Sequence, residues 1–140
     1  MHLVFSFIFS LLVLLHPVTR SIETEISQTV GNSLRSGDAG RLSARFAKTI
    51  ELVIDTEKVD FQSLQATHAE LILRSFFRKY PPHGFQFVYR GSSDRLYYST
   101  GTYETNGQVF SVYVLMRQTN NHQYAINGLH FRKEKKDDVK

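Results

Sequence analysis

Two residues, Asn106-Gly107, constrain this chain more than any others. They separate a Tyr- and Thr-rich run, 96–105 (LYYSTGTYET), from an alternating run, 109–117 (VFSVYVLMR). Asn-Gly is the preferred centre of a two-residue type I′ hairpin, because both residues need positive φ and the turn's twist matches that of the strands. Such a turn dictates the pairing: Thr105 opposes Gln108, Tyr103 opposes Phe110, Gly101 opposes Val112, Ser99 opposes Val114 and Tyr97 opposes Met116. Side chains alternate along a strand, so the register also sorts residues into faces. The face holding Phe110, Val112, Val114 and Met116 is the more apolar and is expected to point inward, with Tyr97, Ser99 and Tyr103 on it. Gly101, in mid-strand, marks sheet curvature or the close approach of another element.

More strands follow from the same reasoning. Residues 85–90 alternate, with Phe85, Phe87 and Tyr89 on one side, ahead of a turn at Gly91-Ser92-Ser93-Asp94. A three-residue loop with a bulge over 91–95 places those aromatics inward; a two-residue loop places Val88 there instead. A turn at Asn120-Asn121 puts Ala125, Asn127, Leu129 and Phe131 of the last strand on the inner face. Residues 49–55 (TIELVID) form a β-branched strand with Ile50, Leu52 and Ile54 on one side, and a short strand is expected at 59–63.

Helices account for the rest. Ile22, Val30 and Leu34 with Ile26 make a narrow i,i+4 stripe over 22–36, closed by Gly37, after which Asp38 caps a short helix over roughly 39–46. Thr67-His68-Ala69-Glu70 has the form of a capping box. Behind it, Ala69, Ile72, Leu73, Phe76, Phe77 and Tyr80 share one broad helical face, and Pro81-Pro82 ends the helix. The order α-α-β-β-α-β-β-β-β implies an α+β fold, a curved antiparallel sheet packed on helices.

The N-terminus stands apart. Residues 3–15 (LVFSFIFSLLVLL) are apolar on every side, shorter than the ~20 residues of a membrane span, and followed by His16-Pro17 and by Thr19 and Ser21 at cleavage-type spacing. Residues 1–21 are read as a signal peptide, the alternative being an uncleaved N-terminal anchor, which would be the chain's only membrane contact. The protein is therefore expected to be exported, to the periplasm or cell envelope. The folded domain is expected over 22–132, with a charged flexible tail at 133–140. The chain of 140 residues contains no Cys, so an exported domain must be held by its own core, for which 11 Phe and 7 Tyr provide the material. The absence of Cys also excludes thiol nucleophiles and Cys-based zinc sites.

Three stretches, SLRSGDAGRLSARFAKTIEL at 33–52, AELILRSFFRKYPPHGFQFVYRGSS at 69–93 and YYSTGTYETNGQVFSVYVLMR at 97–117, resemble the DUF4783 family of exported bacterial proteins. That family is similar to the NTF2-like (SnoaL-like, cystatin-like) superfamily. The resemblance implies a cone-shaped fold, often dimeric and often with a pocket. It implies no activity, because that superfamily spans isomerases, dehydratases, transport factors and secretion components.

The candidate ligand pocket is accordingly the inner sheet face, where Tyr89, Tyr97, Ser99, Tyr103 and Asn127 supply polar groups among apolar walls. The alternative is that the tyrosines pack as core and Asn127 bonds to backbone. No catalytic residue is assigned: enzymes of the superfamily usually place an Asp, Glu or His inside the cone, and the expected inner face has none. Glu51 and Asp55 come nearest, but four residues along a strand separates them by about 13 Å, and a solvated strand face accounts for them. The histidines form no HxH or HxxxH pattern, so neither a metal nor another cofactor is expected. The net charge is +4, but the basic residues are scattered, and no nucleic acid partner is expected. On the outer sheet face Tyr113 and Leu115 are apolar enough to suggest a homodimer interface. The function expected is a non-enzymatic exported domain binding a small apolar or amphipathic ligand or a partner protein. The alternatives are an isomerase- or dehydratase-type enzyme using Asp55 or Glu51, and a structural cell-envelope dimer.

Overall fold

In the computed structural model, which describes residues 22–135, three helices lie against one face of a six-stranded sheet. The elements are α1 (Ile22–Ser36), α2 (Ala39–Ser43), β1 (Phe46–Ile54), β2 (Val59–Gln65), α3 (Ala66–Lys79), β3 (Gly84–Ser93), β4 (Leu96–Thr105), β5 (Gln108–Gln118) and β6 (Tyr124–Lys133). The apolar segment 1–21, expected to direct export, and the end of the charged tail lie outside the described residues. Among the described residues no helix is long and apolar enough to cross a membrane.

The strand order is β2-β1-β6-β5-β4-β3. Four of the five neighbouring pairs are antiparallel as expected, but β1 and β6 run parallel, so the sheet is mixed. The β4–β5 hairpin has the register that Asn106-Gly107 dictates, from Thr105 opposite Gln108 to Tyr97 opposite Met116. Its inner residues Phe110, Val112, Val114 and Met116 are buried. Gly101 is a point of close approach: a Cβ there would stand 2.5 Å from the Phe85 ring and 2.7 Å from the Gln86 carbonyl oxygen.

The core lies between this face and the helices. Ile26, Val30 and Leu34 of α1 are fully buried, as are Leu73 of α3 and Ile50, Leu52 and Ile54 of β1. Phe76 is the hub of an aromatic cluster, with ring centroids 4.5 Å from Phe131, 5.4 Å from Phe110 and 5.8 Å from Tyr103. These side chains pack together beneath the sheet as one apolar core.

Several local expectations change. The second helix ends at Ser43, and β1 begins at Phe46, because the backbone there pairs with Ile126 of β6. The capping box does not form: α3 starts at Ala66 behind Gln65, with no side-chain cap, and Glu70 instead accepts a hydrogen bond from Ser43 Oγ at 2.8 Å, tying α3 to α2. Residues 91–93 continue β3 rather than turning, and the two-residue turn is Asp94-Arg95, with Asp94 at φ 58°. The β5–β6 connection is a three-residue loop, Asn120 to His122, with His122 at φ 60° and Thr119 N–H donating to the Gln123 carbonyl. The sheet also reaches into the charged tail: Lys133 ends β6, and Glu134 N–H donates to the Val109 carbonyl.

Candidate functional site

Two bulges decide which expected residues reach the inner face. In β3, Phe87 opposes Gly101 but Tyr89 opposes Thr100, so Val88 is an inserted residue. A bulge shifts the side-chain phase by one position. Phe85 and Phe87 therefore point inward while Tyr89 is turned to the outer face, 54% exposed, and Arg90 takes the inner position opposite Ser99. In β6 the three-residue loop shifts the register by one, bringing Ile126 rather than Ala125 opposite Met116. Asn127 is then bulged out between Ile126 and Gly128, which returns Leu129 and Phe131 to the core. Tyr89, Asn127 and Ala125 thus leave the inner face, because a two-residue turn and an unbroken strand were assumed where the backbone inserts extra residues.

The other three expected residues stay inside. Tyr103 is fully buried and donates its hydroxyl to the Tyr80 carbonyl, a core role; burial pushes its phenol pKa well up. Tyr97 accepts a hydrogen bond from Ser27 Oγ of α1 at 3.0 Å. Ser99 is buried beside it on β4, and its Oγ has no hydrogen-bond partner among the described residues. Tyr97 and Ser99 therefore remain together, at the edge of the core under α1.

Next to them is a hollow of about 400 Å³ between α1 and β3, lined by Ser27, Gln28, Asn32, Arg35, Phe87 and Arg90. The α1 residues recur at near-helical spacing and so form one strip of that helix. Gly31 lets the two elements close up: a Cβ there would be 3.1 Å from the Phe87 ring. Both guanidiniums are positioned. Arg35 Nε donates to the Phe85 carbonyl at 3.1 Å and Nη1 to Asn32 Oδ1 at 3.3 Å. Arg90 lies over the Phe87 ring, 4.3 Å from its centroid, a favourable cation–π arrangement. Among residues 25–135, whose side chains are described, neither arginine has a salt-bridge partner. From sequence both counted only as scattered basic residues, since the bulge at Val88 that turns Arg90 inward leaves no local signal.

The carboxylates fall elsewhere. Glu51 pairs with Nε2 of His130 across the parallel β1–β6 seam, on the outer face. Asp55 accepts the Lys133 backbone N–H at 3.0 Å, so the two acids work apart, each on its own partner. Tyr113 lies 5.3 Å from the His130 ring, centroid to centroid, and both line an outer hollow of about 440 Å³ with Thr100, Thr102 and Arg132. Near them the Tyr98 ring lies 6.0 Å from that of Tyr89, centroid to centroid, and this neighbour raises its phenol pKa. Among the described residues no group of three His, Asp or Glu is placed to hold a metal ion.

A curved sheet wrapped over helices is the fold of solved NTF2-like structures, among them a protein of unknown function from Shewanella baltica, which superposes with a TM-score of 0.61 at 9% identity over 81% of this chain and 92% of that one. The chain belongs to the DUF4783 family, a domain of unknown function, whose pattern it matches over residues 27–132. A DUF4783 family protein from Bacteroides fragilis superposes with a TM-score of 0.69 at 24% identity, over 76% of this chain and 96% of that one. One from Bacteroides ovatus gives 0.70 at 21% identity, over 77% and 94%. A putative ketosteroid isomerase from Parabacteroides distasonis gives 0.64 at 12% identity, over 85% and 92%. At these identities the structural likeness is one of fold. No curated protein matches the chain.

Proposed function

We propose that this chain is a non-enzymatic binding domain that holds a small amphipathic molecule in the hollow between α1 and β3. The observation that carries this is the hollow itself. Its volume of about 400 Å³ falls in the 300–1,000 Å³ range of small-ligand sites. It offers one aromatic wall, Phe87, and hydrogen-bonding groups from Ser27, Gln28, Asn32, Arg35 and Arg90. None of these described lining residues is a carboxylate or a histidine, so together they can orient and hold a ligand but offer no group suited to moving a proton at neutral pH. Tyr97 and Ser99 of the sequence-based pocket belong to its border, through Ser27 and through the cross-strand pair with Arg90. Export, through residues 1–21, is part of the same proposal and would set the ligand outside the cytoplasm.

Native mass spectrometry of protein purified gently from its own host tests this. An added mass of a few hundred daltons that is lost on unfolding is expected. The variant Gln28→Trp, at the exposed lip of the hollow, should lack it. Protein carrying no added mass, or carrying it equally in the variant, refutes the proposal.

A second reading has its own observation. Val88 and Tyr89 are 72% and 54% exposed on the sheet edge, next to the half-buried Tyr113 and Leu115 of the outer face. A homodimer through that face would cover them. Sedimentation of the wild type and of Tyr113→Glu tests it: a concentration-dependent dimer lost in the variant supports the interface, and a monomer at all concentrations removes it.

A further inference from the structure

We infer that the molecule bound between α1 and β3 carries an anionic head group, a carboxylate or its equivalent, gripped between Arg35 and Arg90. The inference rests on the binding site proposed above and names its chemistry. Two guanidiniums line one hollow, and among residues 25–135, whose side chains are described, no carboxylate forms an ion pair with either. Glu104 lines the next hollow, on the far side of Arg35, but forms no salt bridge with it. Two like charges lining one shared hollow repel, and an anion placed between them converts that repulsion into attraction.

Both groups are also pre-arranged. Asn32 and the Phe85 carbonyl hold Arg35 through Nε and Nη1, and the Phe87 ring supports the plane of Arg90. Arginine presents a planar fork that matches a carboxylate with two parallel hydrogen bonds. Holding the forks before binding lowers the entropy lost when the anion arrives. The neighbouring polar corner is consistent with a head group rather than a tail. Ser99, cross-strand from Arg90, has a buried hydroxyl without a partner among the described residues, and the Ser27–Tyr97 hydroxyl pair lies beside it. The edge of the Phe87 ring is left for the apolar part of the ligand.

The test compares two probes of nearly equal shape, phenylacetate and its neutral amide, by NMR titration of the purified chain, with shifts read at Phe87, Arg90 and Asn32. Phenylacetate should bind at least tenfold tighter than the amide, and raising the salt from 0.05 to 0.5 M should weaken it severalfold. Both arginine side chains are exposed, so Arg35→Gln and Arg90→Gln should fold normally, shown by unchanged circular dichroism, and each should abolish most of the preference. Arg90→Lys should restore part of it. Equal binding of both probes at the hollow overturns the anionic head group while leaving the amphipathic site standing. No shift with either probe also overturns it, and the binding site itself then stands or falls on the native mass measurement. An unaltered preference in both glutamine variants overturns the assignment to these arginines.

Discussion

Replacing Tyr103 with Phe removes one oxygen from the centre of the molecule and tests how the core is balanced. The ring of Tyr103 contacts Phe76, Phe77, Phe110 and Phe131, and the substitution keeps all of these. What is lost is the hydrogen bond from a fully buried hydroxyl to the Tyr80 carbonyl. A net hydrogen bond is worth about 1 kcal/mol, and leaving its buried acceptor unpaired adds to that, so Tyr103→Phe should cost about 1–2 kcal/mol at pH 7. The cost should depend on pH. Burial pushes the Tyr103 phenol pKa upward in the folded protein, whereas the unfolded chain releases that proton near pH 10. Below about pH 10 both states are protonated and the contribution is constant. Above it the unfolded state binds fewer protons, and wild-type stability falls by at most about 1.4 kcal/mol per pH unit. The Phe variant has no such proton. Other tyrosines and the lysines titrate in both proteins and cancel in the difference. Urea unfolding from pH 7 to 11.5 should therefore show a deficit that is flat up to pH 10 and shrinks to nothing about one unit higher. A deficit that stays constant or widens above pH 10 would refute the argument.

Other substitutions probe separate features. Gly101→Ala drives a methyl group into the Phe85 ring and the Gln86 carbonyl; a loss of roughly 2–3 kcal/mol is expected, read as a lower urea midpoint with unchanged slope. Asp38→Ala removes the carboxylate that accepts Arg41 N–H at 2.9 Å and caps the five-residue α2; thermal unfolding should report a loss of about 1 kcal/mol. His122→Gly relieves a left-handed residue at φ 60° and should raise stability by up to about 1 kcal/mol, with a midpoint shift in the opposite direction counting against strain at that loop.

Much of the fold was legible where one stretch of chain carries its own instructions. Asn106-Gly107 set ten cross-strand pairs because a I′ turn needs only its two residues and the flanking alternation. The stripe of Ile26, Val30 and Leu34 showed the buried side of α1 for the same reason, and Phe76, Phe77 and Tyr80 that of α3. The candidate site was less legible. Tyr97 and Ser99 were placed on the correct side of β4, since they belong to that hairpin. Tyr89 and Asn127 were misplaced because each lies at or beyond an inserted residue, and an insertion in a strand has no composition cue of its own. Arg35 and Arg90, the groups that define the hollow, are 55 positions apart in sequence and meet only because α1 packs along the edge strand.

The amino-acid sequence by itself thus determined the elements, their order, the α+β class and the faces of the central hairpin, all consequences of interactions within a few residues or across a two-residue turn. The tertiary structure alone decided three things: the parallel seam between β1 and β6, which pairs Glu51 with His130; the phase of β3 and β6 beyond their bulges; and the meeting of Arg35 and Arg90 at one hollow. The reason is physical. Periodicity and turn chemistry act locally, whereas bulge position, strand direction and the facing of distant charges are settled by which packing of the whole sheet against its helices buries the most apolar surface with its backbone groups paired.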